Sequence, residues 1–184
     1  MTSSRPDFVV YIAASLDGFI AREDGGIDWL PMPPEGEDFG WSEFIADIDA
    51  IVMGRKTFEQ VLAFGVWPYE GTPLLVLSST LTQVPEHLAG KAECVNLALP
   101  ELTDALAGRG YRRVYVDGGQ TIQSLLREGL VDELIVTTIP VLIGGGIPLF
   151  GPLDADIRWD HASTETLGGG LVRSRYRRAR GGSR

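Results

Sequence analysis

A chain of 184 residues is long enough to bury one proper core and short enough to be a single domain. Its hydrophobic share of 44% and charged share of 22% are those of a globular protein, and a formal net charge of −9 argues against general nucleic-acid binding. No apolar run reaches membrane-spanning length, the N-terminal M-T-S-S-R-P-D lacks the apolar centre of a signal sequence, and the single Cys94 rules out an internal disulfide, so the chain reads as a cytoplasmic protein without a membrane partner.

Phe8 to Ala14 (F-V-V-Y-I-A-A) reads as a strand buried on both faces. Ser15-Leu16-Asp17-Gly18 is turn chemistry, and Phe19-Ile20-Ala21 resumes an apolar run. The small Ala13-Ala14-Ser15 at the strand end leaves room either for a flat ring or for close strand–helix packing. Residues 22–40 show no periodicity and are rich in Gly, Pro and acids, yet they carry Trp29, Leu30, Met32 and Phe39; a long loop with that much apolar surface reads as a lid. Trp41, Phe44, Ile45 and Ile48 form a helical stripe, with Asp38 before it as an N-cap or, alternatively, as an acid facing a pocket. Asp28, Glu37 and Glu43 are rival carboxylates.

Ile51-Val52-Met53 is a buried strand that Gly54 ends, and Thr57 with Gln60 reads as a capping box opening a helix with Phe58, Val61 and Leu62 on its buried side. Arg55 and Lys56 then sit just ahead of a helix N-terminus, against the preference of the helix dipole for acids. They are either solvated surface cations or partners of a phosphate, which arginine binds in a bidentate way. Pro73 to Ser79 is a further strand, ending in the hydroxyls Ser78, Ser79 and Thr80. A short strand at Cys94-Val95 and a helix with Leu99, Leu102, Ala105 and Leu106 follow.

Val114-Tyr115-Val116 is again a buried strand; Gly118-Gly119 breaks it, Ile122, Leu125 and Leu126 mark a helix, and Leu134-Ile135-Val136 starts the next strand. The glycine pair ahead of a helix is either a tight strand–helix turn or a seat for a pyrophosphate. Val141 to Phe150, with Gly144-Gly145-Gly146, reads as a bent loop serving as ligand contact, interface or sheet corner. Ile157 to Glu165 and Leu171 to Tyr176 read as an antiparallel hairpin closing an otherwise parallel sheet. The expected organisation is one α/β domain over 7–179 and a basic, disordered tail over 180–184. There is no zinc-ligand spacing, nucleophile elbow, Walker loop or G-x-G-x-x-G, so no metal is expected. Three strand ends remain that could converge on one phosphorylated ligand: Gly54-Arg55-Lys56-Thr57, Ser78-Ser79-Thr80 and Gly118-Gly119-Gln120-Thr121.

S-L-D-G-F-I-A, D-A-I-V-M-G-R-K-T-F-E, L-L-V-L-S-S, V-D-G-G-Q and V-D-E-L-I-V-T-T-I-P-V-L-I-G-G-G-I-P-L-F stand in the order seen in the dihydrofolate reductase superfamily, over about residues 8–176. The chain most resembles the branch of the C-terminal reductase domain of the riboflavin-pathway deaminase–reductase and its stand-alone relatives. That resemblance implies a dihydrofolate-reductase-like three-layer fold with a mostly parallel sheet, a homodimer, and an NADPH-dependent oxidoreductase. It implies that Arg55, with Ser78 and Ser79, meets the 2′-phosphate of NADPH. Gly54, Lys56, Thr57, Gln120 and Thr121 belong to the same cofactor turns. Gly118 and Gly119, commonly joined by a cis peptide, pass the pyrophosphate, and Ala14 lies at the nicotinamide. Asp38 matches the substrate-binding acid through its D-x-x-W spacing to Trp41, and Thr137 matches the threonine that partners it. Trp29 and Trp41 are placed at the substrate. Phe19 stands where the riboflavin-pathway enzymes usually carry lysine, and Ile27-Asp28-Trp29-Leu30-Pro31 replaces their S-x-W-I-T-like segment. The implied reaction is hydride transfer to a pteridine- or pyrimidine-like substrate, as in 5-amino-6-(5-phosphoribosylamino)uracil reduction. The alternatives are dihydrofolate reduction and a non-catalytic nucleotide-binding dimer. The step needs a partly desolvated carboxyl as proton source, with Asp38 first and Asp28 second.

Overall fold

The first strand carries no polar alternation because both of its faces are covered. A computed structural model of the chain describes residues 5–179, and the tail expected at 180–184 lies outside the described residues. In chain order the elements are β1 (Asp7–Ser15), β2 (Phe19–Ala21), α1 (Trp41–Ala46), β3 (Ala50–Gly54), α2 (Arg55–Ala63), β4 (Leu74–Leu77), β5 (Ala92–Val95), α3 (Leu99–Gly108), β6 (Arg113–Asp117), α4 (Gly119–Arg127), β7 (Val131–Ile139), β8 (Ile147–Pro148), β9 (Trp159–Thr166) and β10 (Val172–Arg178). Eight strands form one sheet in the order β5-β4-β3-β6-β1-β7-β10-β9. The pairs from β5 to β7 are parallel, and β10 is antiparallel to both β7 and β9. This is the expected α/β arrangement, with a C-terminal hairpin closing a mostly parallel sheet.

Side chains alternate across the sheet, so β1 feeds two cores. Phe8, Val10 and Ala14 pack with Leu102 and Leu106 of α3 and with Ile122 and Leu125 of α4. Val9 faces the other way, into a core with Phe44 of α1, Ile48 just after it, and Phe58 and Val61 of α2. Each fully buried large apolar side chain contributes about 1.5–3 kcal/mol, so these two layers hold the sheet between helices. No helix among the described residues is long and apolar enough to cross a membrane.

Strand β7 begins at Val131, three residues before its apolar run. Asp132 and Glu133 are tolerated there because each is paired. Asp132 accepts from the Phe8 N–H at 2.9 Å and from Arg5 at 2.7 Å, and Glu133, which is buried, accepts from Arg113 at 2.7 Å. Strand β5 likewise starts earlier than its apolar pattern, at Ala92. The glycine-rich loop after β7 is a corner: β8 pairs with β2, and the Asp17 carboxylate accepts from the N–H groups of Ile143 and Gly144 at 3.2 and 2.8 Å. A surface cavity of about 590 Å³ opens at the starting ends of β1, β6 and β7, beside Arg5, Arg113 and Glu133, and so lies at the opposite pole from the glycine turns.

Candidate functional site

Three neighbouring strands end together. Met53 of β3 pairs with Asp117 of β6, and Gly54 pairs with Leu77 of β4, so Arg55, Ser78 and Gly118 all follow directly from adjacent strand ends. Helix α2 starts at Arg55 with Gly54 as N-cap, and α4 starts at Gly119 with Gly118 as N-cap. Neither start has a side-chain cap or an acidic residue in its first turn. The capping box expected from Thr57 and Gln60 is therefore not formed. Extended backbone at Gly54 (φ −79, ψ 163) leads straight into the helix, and Gln60 instead donates to the carbonyl of Gly25 in the loop 22–40 at 2.6 Å.

Freed from capping, Thr57 packs over the other turn. A Cβ at Gly118 would collide with Thr57 Oγ1, and one at Gly54 would lie 3.1 Å from Thr121 Oγ1, so the two glycine turns interlock. Gly118 turns the chain at φ 93 rather than through the expected cis bond, since no cis peptide occurs among the described residues. Unpaired N–H groups and the positive ends of two helix dipoles thus meet at one place, which favours an anion. Arg55 stands beside it and pairs with Glu59 at 2.9 Å, while Lys56 is exposed. Ser78 Oγ accepts from the N–H groups of Thr80 and Leu81 at 3.1 and 2.8 Å, and Ser79 and Gln120 are exposed. The donor set, one arginine and hydroxyls beside two uncapped helix starts, fits a ligand carrying more than one phosphate.

The expected acids are placed differently. Asp38 is exposed; its carboxylate accepts from the N–H groups of Gly40 and Ser42, both at 2.8 Å, and so caps α1 from two residues upstream. Hydrogen bonding by Ser42 is the largest influence on it and holds its pKa below the ordinary value. Asp28 is also exposed and is paired with Arg22 at 2.6 and 2.9 Å, which lowers its pKa too. Neither is the desolvated carboxyl that the expected role requires, because each is already spent on a structural bond in water. Thr137 is buried and accepts from Arg173 at 3.3 Å, so the expected Asp38–Thr137 pair is absent. Glu37 and Glu43 are exposed as well.

A different carboxyl fits. Asp117 ends β6 immediately before the glycine pair; loss of water raises its pKa, opposed by the Gly118 N–H at 2.8 Å and by the Tyr115 hydroxyl. The signal in the sequence was one polar residue closing the apolar run V-Y-V, next to G-G. Trp41 flanks the same region, 5.9 Å from the Tyr11 ring and 5.8 Å from that of Tyr115. Trp29 lies in the loop 22–40, its Nε1 buried and without a hydrogen-bond partner among the described residues. Ala14 is buried at the end of β1, two strands from β3 in the sheet.

Comparison with known proteins places the chain in a family. The uncharacterized protein YwjB of Bacillus subtilis (strain 168) is 36% identical over 163 residues, 87% of this chain and 91% of that one. A crystal structure named "Putative riboflavin biosynthesis protein", from Shewanella sp. PV-4, superposes with a TM-score of 0.90 at 39% identity, over 95% of this chain and 99% of the other. The dihydrofolate reductase of Enterococcus faecalis, solved with NADP(H), superposes with a TM-score of 0.67 at 18% identity over 94% and 96% of the two chains, which establishes a dihydrofolate-reductase-like fold. Residues 6–173 match the RibD C-terminal domain, and the chain belongs to that family.

Proposed function

We propose that the protein is an NADPH-dependent reductase of a pyrimidine- or pteridine-like heterocycle. The observation that carries this reading is the pair of interlocked glycine turns, where α2 and α4 begin at neighbouring strand ends with neither side-chain caps nor first-turn acids. Membership of the RibD C-terminal domain family supports it, as does the shared fold of a reductase solved with NADP(H). Gly118, Gly119, Gln120 and Thr121 would hold the pyrophosphate on backbone N–H groups, together with Gly54, Lys56 and Thr57. Arg55 would exchange Glu59 for the 2′-phosphate, beside Ser78 and Ser79, and Ala14 would border the nicotinamide. NADPH, when bound, supplies the hydride. Asp117, whose pKa is raised by its loss of water, would give its proton to the ring nitrogen or oxygen that gains electron density. Trp29 and Trp41 wall the substrate.

Among substrates, a pyrimidine of the 5-amino-6-(5-phosphoribosylamino)uracil type is favoured, in keeping with the name of the Shewanella protein. Dihydrofolate was expected to need a carboxyl at Asp38 paired with Thr137, and that pair is absent. We further propose a homodimer through the adjoining Leu16, Leu142 and Phe150, which are 62%, 67% and 53% exposed.

Titration with NADPH and then NADH, followed by tryptophan fluorescence, tests the cofactor site in wild type and Arg55→Ala. A charge-assisted bond to phosphate is worth roughly 1.5–3 kcal/mol, so the variant should lose about 10- to 100-fold in NADPH affinity and keep its affinity for NADH. Absence of binding by either nucleotide to wild type overturns the reading.

A further inference from the structure

Arg173 of β10 has no part in the reading above, yet it is closely engaged on the substrate side of the sheet. Its side chain is only 12% exposed. Nε donates to Thr137 Oγ1 at 3.3 Å, and Nη2 donates to the Tyr11 hydroxyl at 2.7 Å and to the carbonyl of Phe39. The guanidinium lies 5.0 Å from the centre of the Tyr11 ring.

Strand register places it with respect to the candidate chemistry. Arg173 is level with Thr137, and Thr137 is level with Ala13, the residue before Ala14. On the other side of β1, Val9 is level with Tyr115 and Val10 with Val116, and one further step in that register brings Tyr11 beside Asp117. The face therefore runs diagonally from Asp117 on β6, past Tyr11 on β1 and Thr137 on β7, to Arg173 on β10, because Thr137 is level with Ala13 rather than Tyr11. Three strand spacings of about 4.8 Å and a two-residue offset of about 7 Å make about 16 Å, the span of a heterocycle with a substituent and a polar contact at each end. One end offers a carboxyl and the other a guanidinium.

The guanidinium is poorly neutralised. Among the described residues the one carboxylate paired with it is Glu165, 3.4 Å from Nη1 and 59% exposed. Its remaining acceptors are neutral, and one of them is held in an unfavourable way. Phe39 is the single non-glycine residue with positive φ (52°) among the described residues, a conformation that bulky L-residues avoid. Gly40 follows at φ 78, where a Cβ would lie 3.1 Å from Arg173 Nη1. Two left-handed steps thus bend the end of the lid so that a backbone carbonyl reaches the cation. An anionic oxygen accepts from a guanidinium more strongly than a carbonyl does, and in bidentate fashion, and arginine keeps its charge at every working pH.

We propose that Arg173 is the specificity-determining residue for an anionic oxygen group on the substrate, and that the Phe39 carbonyl holds its place until substrate arrives. The proposal rests on the reductase reading. The anion is either a carboxylate on the ring or a phosphate on a ribosyl tail, and matched ligands separate the two. Binding of uracil, orotate, uridine and uridine 5′-monophosphate is measured by calorimetry in saturating NADP⁺, for wild type, Arg173→Gln and Arg173→Lys, with thermal unfolding as the check on folding. In wild type the anionic member of one pair binds at least about ten-fold more tightly than its neutral partner; orotate over uracil assigns the ring carboxylate, and the nucleotide over uridine assigns the tail phosphate. Arg173→Gln abolishes the preference and Arg173→Lys retains part of it, since lysine keeps the charge but not the fork. The absence of a preference in both pairs, or its survival in Arg173→Gln, overturns the proposal while leaving the cofactor reading intact. Should Arg173→Gln not fold, a preference in Arg173→Lys equal to wild type overturns it instead. Failure of NADP⁺ to bind wild type brings down the reductase reading and this proposal together.

Discussion

Replacing Gly118 with alanine tests whether the two glycine turns are mechanically one unit. Gly118 has φ 93 and ψ 130, and an L-residue held in such a region costs roughly 1–3 kcal/mol. The new Cβ also collides with Thr57 Oγ1, and overpacking of that kind costs a further 1–3 kcal/mol or so. The sum, roughly 2–6 kcal/mol, is a large part of the 5–15 kcal/mol or so that stabilises a typical domain. Thr57→Ala removes the colliding hydroxyl. It leaves the Cβ of residue 57 at 3.3 Å from the new methyl, which a shift of a few tenths of an ångström relieves. In the double variant only the backbone strain persists, so the two substitutions should couple by about 1–3 kcal/mol in the stabilising direction. Urea unfolding of wild type, both single variants and the double variant, followed by circular dichroism and tryptophan fluorescence with slopes compared, measures that coupling. Additivity to within about 0.5 kcal/mol would refute the contact between the turns.

Two other outcomes follow from the site and the surface. Asp117 binds its proton more tightly in the folded chain than its ordinary value of 3.8 allows, so between that value and its raised one the folded state holds more protons and stability falls as pH rises. Asp117→Asn should therefore unfold at higher urea than wild type at pH 7, lose that advantage below about pH 4, and turn over far more slowly; parallel stability profiles for the two proteins would show that the carboxyl is not desolvated. Leu142→Asp places a charge in the proposed dimer strip and should halve the mass seen by light scattering without lowering the unfolding midpoint measured at fixed protein concentration by more than the lost association explains. A wild type that runs as a monomer removes that surface from consideration.

The strands and their order of burial were legible because apolar runs such as F-V-V-Y-I and A-I-V-M are what strands covered on both faces require. Where β7 begins was not, since Asp132 and Glu133 become acceptable in a strand only once Phe8, Arg5 and Arg113 arrive from distant parts of the chain. The helix after Gly54 was legible, but its start was not: T-F-E-Q has the composition of a capping box, and only the approach of Gly118 decides that Thr57 belongs to the neighbouring turn. The acid was displaced for a similar reason. The spacing of Asp38 to Trp41 is compatible both with a cap and with a pocket residue, and the hydrogen bonds from Gly40 and Ser42 select the cap. Asp117 acquires its raised pKa from burial on the face it shares with Tyr115, which no local pattern encodes. Arg173 sits in the alternating basic stretch R-S-R-Y-R-R, and which of those cations turns inward is settled by the pairing of β10 with β7.

The position of β1 has a consequence for how the chain assembles during synthesis. This strand precedes the other described strands, yet its two neighbours in the sheet are β6 and β7, and the Phe8 N–H finds its acceptor on Asp132, 124 residues further along. Until those strands leave the ribosome, both edges of a largely apolar segment stay open, while β3 and β4 can already pair with each other. Closing such long loops is slow, and an open apolar edge invites pairing with the wrong partner. The segment of β1 is therefore the aggregation hazard of this domain until β6 and β7 have been made. A chaperone that shields this apolar segment until β6 and β7 are available would act on that hazard.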